Sequence, residues 1–297
     1  MAMLMNGAYF NSLDQESGLQ NALKQIPNSG TTDYIIFSLN VNSSSSADIN
    51  FGLTGPVLAS DGVVQQGTSD IITPIVSAGV KQGSCQRVWL SIGGWGSNAF
   101  TNINDILEGP ADNKTTLFSN FKAIIAAIEG IEGANFAGFD LDFEQAEGDL
   151  HTLVSNMTIA FYNEFNCKFT FCPFQHLPAR NQAVSPWISS LSTVYSALHT
   201  QPVVGFNLQI YAGGTGNDPT AWVKAVAAES GTGVADASSF IWPIFSCDTT
   251  APPNVTPSQA TSDMQGWKSQ GASLWATAAL PYEGYDLGDY ATAIAAG

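Results

Sequence analysis

The sequence predicts an α/β protein folded as a single (β/α)8 TIM barrel. Three observations carry that prediction. Short apolar strand patterns alternate with amphipathic helical patterns along the chain, eight of each. The units repeat at roughly 30-residue intervals, the rhythm of strand–helix crossovers between parallel strands. The length, 297 residues, suits one barrel, and no linker or shift of composition divides it, so residues 1–297 read as one domain.

The elements follow in order. Gly7 to Asn11, with Tyr9 and Phe10, forms the first strand, and Leu19, Ala22, Leu23 and Ile26 recur at helical spacing until Pro27 stops them. Tyr34 to Val41 is the second strand. The serine-rich stretch from Asn42 to Ser60 reads as a long surface loop. Ile71, Ile72, Ile75 and Val76 mark the next helix, with Pro74 near its start. Arg87 to Ile92 is the third strand and runs into Gly93, Gly94, Trp95 and Gly96. Leu117, Phe118, Phe121, Ile124, Ile125 and Ile128 form an amphipathic helix. Gly138 to Glu144 is the fourth strand, followed by a helix on Leu150, Leu153, Val154, Met157, Phe161 and Phe165. Lys168 to Phe174 is the fifth strand, and its helix opens at Ser185-Pro186, a cap residue before proline. Val204 to Tyr211, Ser239 to Phe245 and Ala272 to Thr277 complete the strands. Helices start at Asp218-Pro219 and Thr256-Pro257, and Tyr290 to Ala295 is a short last one.

Composition narrows the function. Charged residues make up only 11% of the chain, and the net charge is -16. A phosphate backbone and an anionic membrane surface are both repelled by such a protein, whereas a neutral sugar polymer is not. No apolar run approaches the roughly 20 residues that span a bilayer. No signal peptide precedes the first strand, so either the chain is made without one or it starts at a mature end. Cys85, Cys167, Cys172 and Cys247 form no Cys-x-x-Cys pair, and the sequence leaves two disulfides open without pairing them. Asn42, Asn113, Asn156 and Asn254 begin Asn-x-Ser/Thr triplets, about as many as chance provides in so serine- and threonine-rich a chain. His151, His176 and His199 are scattered outside any zinc motif, and neither a nucleophile elbow nor a phosphate-cradling loop is present. No metal or cofactor is expected.

The chemistry concentrates in Gly138-Phe139-Asp140-Leu141-Asp142-Phe143-Glu144. On a strand, Asp140, Asp142 and Glu144 share one face at a spacing of roughly 6.6 Å, and Phe139, Leu141 and Phe143 share the other. A wet acidic strand face is the plain structural alternative. It fits poorly, because no Lys or Arg lies between Lys122 and Lys168 to neutralise the three acids. Aligned carboxylates raise one another's pKa, which is what a general acid near neutral pH requires. In a barrel, catalytic groups sit at the C-terminal ends of the strands, where Glu144, Tyr211 and Gly93-Gly94 fall.

This run resembles the Asp-x-x-Asp-x-Asp-x-Glu signature of glycoside hydrolase family 18, the chitinases and their relatives. The Asp-x-Asp-x-Glu part is intact, and Ala137 stands at the first position. Three further stretches are similar to family motifs: Ser91-Ile92-Gly93-Gly94, Gln209-Ile210-Tyr211 and the eighth-strand Trp275. The resemblance implies a retaining endo-glycosidase acting on β-1,4-linked N-acetylglucosamine by substrate assistance. It assigns Glu144 as general acid, Asp142 as the group that steadies the attacking acetamide, and Asp140 as the residue that holds Asp142 and shares its proton. It assigns the Tyr211 hydroxyl to the acetamide oxygen and Trp275 to the floor of the cleavage subsite. Gln209, Gly93, Gly94, Trp95, Tyr9 and Phe37 are expected to bind substrate, with Trp242 as a further candidate for the cleft. The pattern breaks at Ala212, where Asn or Asp is expected, and at Gln145, where an aromatic is common. Only about 25 residues separate strands seven and eight, so the α/β insertion of many family members does not fit and an open groove follows. Two alternatives stand beside a chitinase: an endo-β-N-acetylglucosaminidase on N-glycans, and a chitinase-like lectin without catalysis. A secreted monomer binding an N-acetylglucosamine-containing polysaccharide or oligosaccharide is expected, with no nucleic-acid or membrane partner.

Overall fold

A computed structural model describes residues 4–27, 29–145, 148–178, 184–247, 252–276 and 285–297. The chain opens with β1 (Met5–Phe10), α1 (Glu16–Gln25) and β2 (Asp33–Asn40). A ribbon follows, made of β3 (Ile49–Phe51), β4 (Val57–Ser60) and β5 (Val63–Val64). Then come α2 (Thr73–Gln82), β6 (Arg87–Gly93), α3 (Ala99–Glu108), α4 (Ala111–Glu129) and β7 (Phe136–Asp142). The rest alternates as α5 (Leu150–Phe165), β8 (Lys168–Phe171), α6 (Pro186–Leu198), β9 (Val203–Gln209), α7 (Pro219–Ala228), β10 (Ile241–Ser246), α8 (Pro257–Trp267), β11 (Gly271–Ala276) and α9 (Leu287–Ala296).

Eight of these strands pair in parallel as β1-β2-β6-β7-β8-β9-β10-β11, and β1 hydrogen-bonds both β11 and β2, which closes the barrel. The expected (β/α)8 architecture is present. Between β10 and β11 the described residues hold α8 and no α/β insertion.

Side-chain alternation divides the core in two. Inside the barrel, Met5, Tyr9, Ile35, Trp89, Cys172, Tyr211, Trp242 and Ile244 pack together. Outside it, strand residues meet the helices. Phe139 of β7 lies 5.3 Å from the ring of Phe121 on α4 and 5.1 Å from Phe161 on α5. Edge-to-face rings at such distances add to the hydrophobic gain of burial. β7 is thus anchored by its apolar face while its acids point inward. Trp242, a candidate for the cleft, is instead a core residue, fully buried with its ring against Gly205.

The far end of the barrel is closed by the buried Asp33. Its carboxylate accepts from Arg87 Nε at 2.5 Å and Nη2 at 2.6 Å, and from Trp89 Nε1 at 3.0 Å. A cavity of about 710 Å³ opens at this end beside Asn6, Thr32, Arg87, Ser269 and Gly271. Among the described residues, its lining includes no Asp, Glu, His or Cys side chain.

Three details differ from the sequence expectation. The serine-rich stretch is not all surface loop: β3 pairs with β2 and β4, and Ala47, Ile49, Phe51, Leu58 and Ala59 are buried. Asn120 of α4 ties the ribbon down through Ala47 O and Gly62 N, both at 2.7 Å. The helix over Ile71 to Val76 begins as a π-helical turn, Thr68–Ile72, before α2. α3 was not expected, although Phe100, Ile103 and Ile106 recur at helical spacing on its buried side. Of the disulfides that the sequence left open, none forms through Cys85, Cys167 or Cys172, whose thiols are free. Thr277, the expected end of the last strand, lies outside the described residues.

Candidate active site

The acidic face of β7 points into the mouth of the barrel. Register aligns Ser91 of β6, Asp140 of β7 and Thr170 of β8 in one row. Asp140 is fully buried and accepts four hydrogen bonds: from Tyr9 Oη at 3.1 Å, Ser91 Oγ at 2.7 Å, Thr170 Oγ1 at 2.6 Å and Asn207 Nδ2 at 2.9 Å. Four neutral donors favour the charged carboxylate. Burial opposes them and wins, so the Asp140 pKa stays above its ordinary value.

Asp142 sits one row nearer the mouth and is 2% exposed. Its carboxyl lies close enough to those of Glu144 and Asp140 to feel their charges. Burial, then the charges of Glu144 and Asp140, push the Asp142 pKa well above the carboxylate range. Glu144 is raised as well, chiefly by burial. Gln209 bridges the pair, its Nε2 donating to Glu144 Oε1 at 2.9 Å and to Asp142 Oδ1 at 3.1 Å. The sequence expectation placed the shared proton between Asp140 and Asp142. In the structure Asp140 takes donors from four other strands, and Asp142 faces the charges of both Glu144 and Asp140. No cation is among the leading causes of these shifts, so burial, the neighbouring carboxyl groups and neutral donors set them.

Glu144 lies two residues beyond the end of β7, and a separate brace holds it there. Phe143 packs edge-on against Phe100 of α3 at 5.1 Å. Gln145 donates Nε2 to Thr101 Oγ1 at 2.6 Å, also on α3. The residue that breaks the family pattern therefore tethers the acid's loop to a helix. Gly93 and Gly94 make room for this arrangement. Both have positive φ, +108° and +91°, and a Cβ at Gly93 would fall 2.2 Å from Asp142 O. A Cβ at Gly94 would fall 2.5 Å from the Phe37 ring. Only glycine fits two such positions in succession.

Aromatic rings line the mouth beside the acids. Tyr211, two residues past β9, is buried and stacks on Trp275 at 5.6 Å and 28°. Trp275 also meets Tyr9 at 5.8 Å and Phe37 at 4.8 Å. Burial, with the nearby acids, holds the hydroxyls of Tyr9 and Tyr211 well above the usual phenol pKa, so both stay protonated donors. Tyr9, Phe37, Tyr211 and Trp275 thus come together with Asp140, Asp142, Glu144 and Gln209 at the barrel mouth. Trp95 stands apart at the rim, 79% exposed. Ala212 has positive φ and its N–H donates to Pro252 O at 2.6 Å, so this position turns the backbone away from the site.

Sequence reasoning missed Thr170, Cys172 and Asn207. Parity was the available signal, since Thr170 and Cys172 alternate toward the barrel interior, as do Asn207, Gln209 and Tyr211. Among the described residues, no cluster of His, Cys, Asp and Glu is arranged to hold a metal ion. Nor is any helix long and apolar enough to cross a membrane.

No protein-family model matches the sequence, and neither does any curated protein. Solved structures do match. A GH18 chitinase from Pseudoalteromonas aurantia is 14% identical with a TM-score of 0.60, over 97% of this chain and 98% of its own. A chitinase-like agglutinin from Robinia pseudoacacia is 12% identical with a TM-score of 0.59, over 99% of this chain and 100% of its own. A GH18 chitinase from Cycas revoluta, solved in complex with (GlcNAc)3, is 13% identical with a TM-score of 0.56, over 97% of each chain. From its first strand to its last helix, the chain has a GH18 chitinase-like fold.

Proposed function

We propose that this protein is a retaining endo-glycosidase that hydrolyses β-1,4-linked N-acetylglucosamine, a chitinase, by substrate-assisted catalysis. The coupled carboxyl pair Asp142–Glu144 carries the reading: it is buried at the barrel mouth and its proton is held above the ordinary range. Such a pair titrates as a unit. With one proton shared over the pair, it supplies an acid and a carboxylate side by side, and catalysis uses the form that carries the proton on Glu144.

Glu144 gives its proton to the glycosidic oxygen as that bond breaks. The 2-acetamido oxygen of the sugar closes on the anomeric carbon, and an oxazolinium ion forms. The Asp142 carboxylate accepts the acetamide N–H and steadies the positive charge. The Tyr211 hydroxyl holds the acetamide oxygen in line, which is catalysis by orientation. Water, deprotonated by Glu144, then opens the ring from the face the leaving sugar left, and configuration is retained. Trp275 offers a flat apolar face to the sugar, and Trp95 extends that surface at the rim. The same groove without an insertion suits internal cleavage of a long polymer. We place the protein outside the cell as a monomer, where such polymers occur.

The likeness to an agglutinin supports a second reading, a sugar-binding protein without catalysis. One experiment separates the two: anomer-resolved chromatography of N-acetylglucosamine hexamer products, for wild type and Glu144→Gln. New β-anomeric ends from wild type alone are expected, with hexamer affinity in the variant within about tenfold, or 1.4 kcal/mol. Binding without cleavage by either protein would establish the lectin. Cleavage of high-mannose glycoproteins but not of the hexamer would make it an endo-β-N-acetylglucosaminidase.

A further inference from the structure

The resemblance assigns Gln209 to substrate, but the structure gives it other partners. Gln209 is 3% exposed and offers a sugar almost no surface. Its amide nitrogen donates to Asp142 Oδ1 at 3.1 Å and to Glu144 Oε1 at 2.9 Å. Cys172 Sγ is a third neighbour at 3.5 Å, and sulfur is the weakest acceptor of the three. The backbone of Gln209 is fixed on both sides. Its N–H donates to Pro173 O at 2.9 Å, and its carbonyl accepts from Asn217 Nδ2 at 3.0 Å. The buried Asn217 is held in turn, donating to Phe174 O at 3.1 Å and accepting from Trp222 Nε1 at 3.1 Å. A Cβ at Gly214 would fall 2.3 Å from the same Gln209 carbonyl, so the chain closes tightly over it.

An amide nitrogen imposes its own order on the oxygens it meets. It has two protons to give and accepts none. One proton goes to each carboxyl, and each is met best by an oxygen that carries no proton itself. Asp142 Oδ1 and Glu144 Oε1 are therefore kept as acceptors. A proton on the pair is left to Asp142 Oδ2 or Glu144 Oε2, whichever residue holds it at rest. Among the described residues, the ionisable groups around this amide are Asp140, Asp142 and Glu144 from β7 and its exit, Cys172 after β8, Tyr9 of β1 and Tyr211 after β9. All of them are acidic or neutral.

We propose that Gln209 is a positioning residue that clamps Asp142 and Glu144 through one oxygen each and reserves the other oxygen of each for chemistry. The proposal rests on the glycosidase reading above. The proton that Glu144 gives to the glycosidic oxygen then leaves from Oε2; that O–H bond breaks, and its electron pair stays on the carboxylate. Asp142 Oδ2 is the oxygen left to accept the acetamide N–H. The clamp has an electrostatic side as well. It donates to both residues, so it favours the carboxylate form of each and works against burial. The pair therefore titrates lower than it would without Gln209. A lysine in this place would hold both groups as carboxylates and leave no acid at neutral pH, whereas a neutral amide leaves one proton to move.

Two measurements test this. The first is the pH profile of hexamer hydrolysis for wild type and Gln209→Met, which keeps the length of the side chain and loses the donor. Both limbs of the kcat profile should move up by roughly half to one pH unit, the worth of one hydrogen bond to each carboxyl. At the new optimum kcat should be lower and KM unchanged. A lower kcat with both limbs in place would mark Gln209 as packing only and overturn the proposal. A raised KM with both limbs in place would return Gln209 to substrate binding. The second measurement needs no activity. It follows the two Nε2 protons of Gln209 by NMR in protein labelled at glutamine nitrogen, identified by their absence from Gln209→Glu. Both should move as the pair titrates, one of them shifting upfield in Asp142→Ala and the other in Glu144→Ala. Protons that ignore both variants, or that both answer to one carboxyl, remove the clamp. If wild type cleaves no sugar, the glycosidase reading falls, and the NMR result still decides whether Gln209 spans the two carboxyls.

Discussion

At the scale of residues, the site works by depriving three acids of water and rationing the donors that compensate them. Asp140 receives four neutral donors, Asp142 and Glu144 share Gln209, and no cation intervenes. A salt bridge would have pinned these groups as carboxylates at neutral pH. Neutral donors leave their protons negotiable, which general acid catalysis requires. Tyr211 belongs at this scale too. Its ring stacks on Trp275, so Tyr211→Phe keeps the packing and removes only the hydroxyl. That variant is expected to lose at least about tenfold in kcat, some 1.4 kcal/mol of transition-state stabilisation, with little change in KM. Steady-state kinetics on the hexamer decides the matter, and an unchanged kcat would return Tyr211 to a packing role.

At the scale of elements, each strand end that carries chemistry is held by a neighbour that carries none. α3 is the brace for Glu144, through Phe100 against Phe143 and Thr101 against Gln145. The buried Asn217 does similar work between two strand ends, donating Nδ2 to Phe174 O at 3.1 Å and to Gln209 O at 3.0 Å. Phe100→Ala should therefore cost more than stability. Emptying a buried phenyl site destabilises by about 3–5 kcal/mol. The freed Phe143 should also loosen Glu144 and lower kcat in the fraction that remains folded. Denaturant midpoints alongside kcat per folded molecule check this. Lost stability with kcat intact would mean that the β7 exit holds its shape without α3.

At the scale of the whole molecule, the site is a burden on stability. Burial raises the pKa values of Asp140, Asp142 and Glu144, so the folded state binds protons that the unfolded chain releases. Between the unfolded carboxyl values, about pH 4, and the raised folded ones, stability falls as pH rises. Asp142→Asn removes one of these titrations and offers Glu144 an amide N–H. The variant should melt at a higher temperature than wild type at pH 7, and the difference should vanish as pH falls to about 4. Melting curves across that range are the check, and a difference independent of pH would contradict it. Stability gained by removing a buried ionisable group from a functional site is a common exchange.

Much of this was legible in the sequence because it is local. Period-two alternation set the acids of β7 against its phenylalanines, and strand–helix repetition announced the barrel. Glu144, Tyr211 and Gly93-Gly94 fell near strand ends, where barrel chemistry sits. Other features were local but faint. α3 is short and polar enough to pass for loop, and the β3–β4 ribbon hides its apolar residues among serines. What only the tertiary structure decided is who partners whom. Tyr9 reaches Asp140 across 131 positions of sequence, and Asn207 reaches it across 67. Barrel closure and register create those contacts, and neither leaves a trace in the spacing of residues along one strand. For the same reason only the structure brought the Gln209 amide of β9 to both Asp142 and Glu144. Hydrogen-bond donors and acceptors are matched in space, and space is settled only when the eighth strand meets the first.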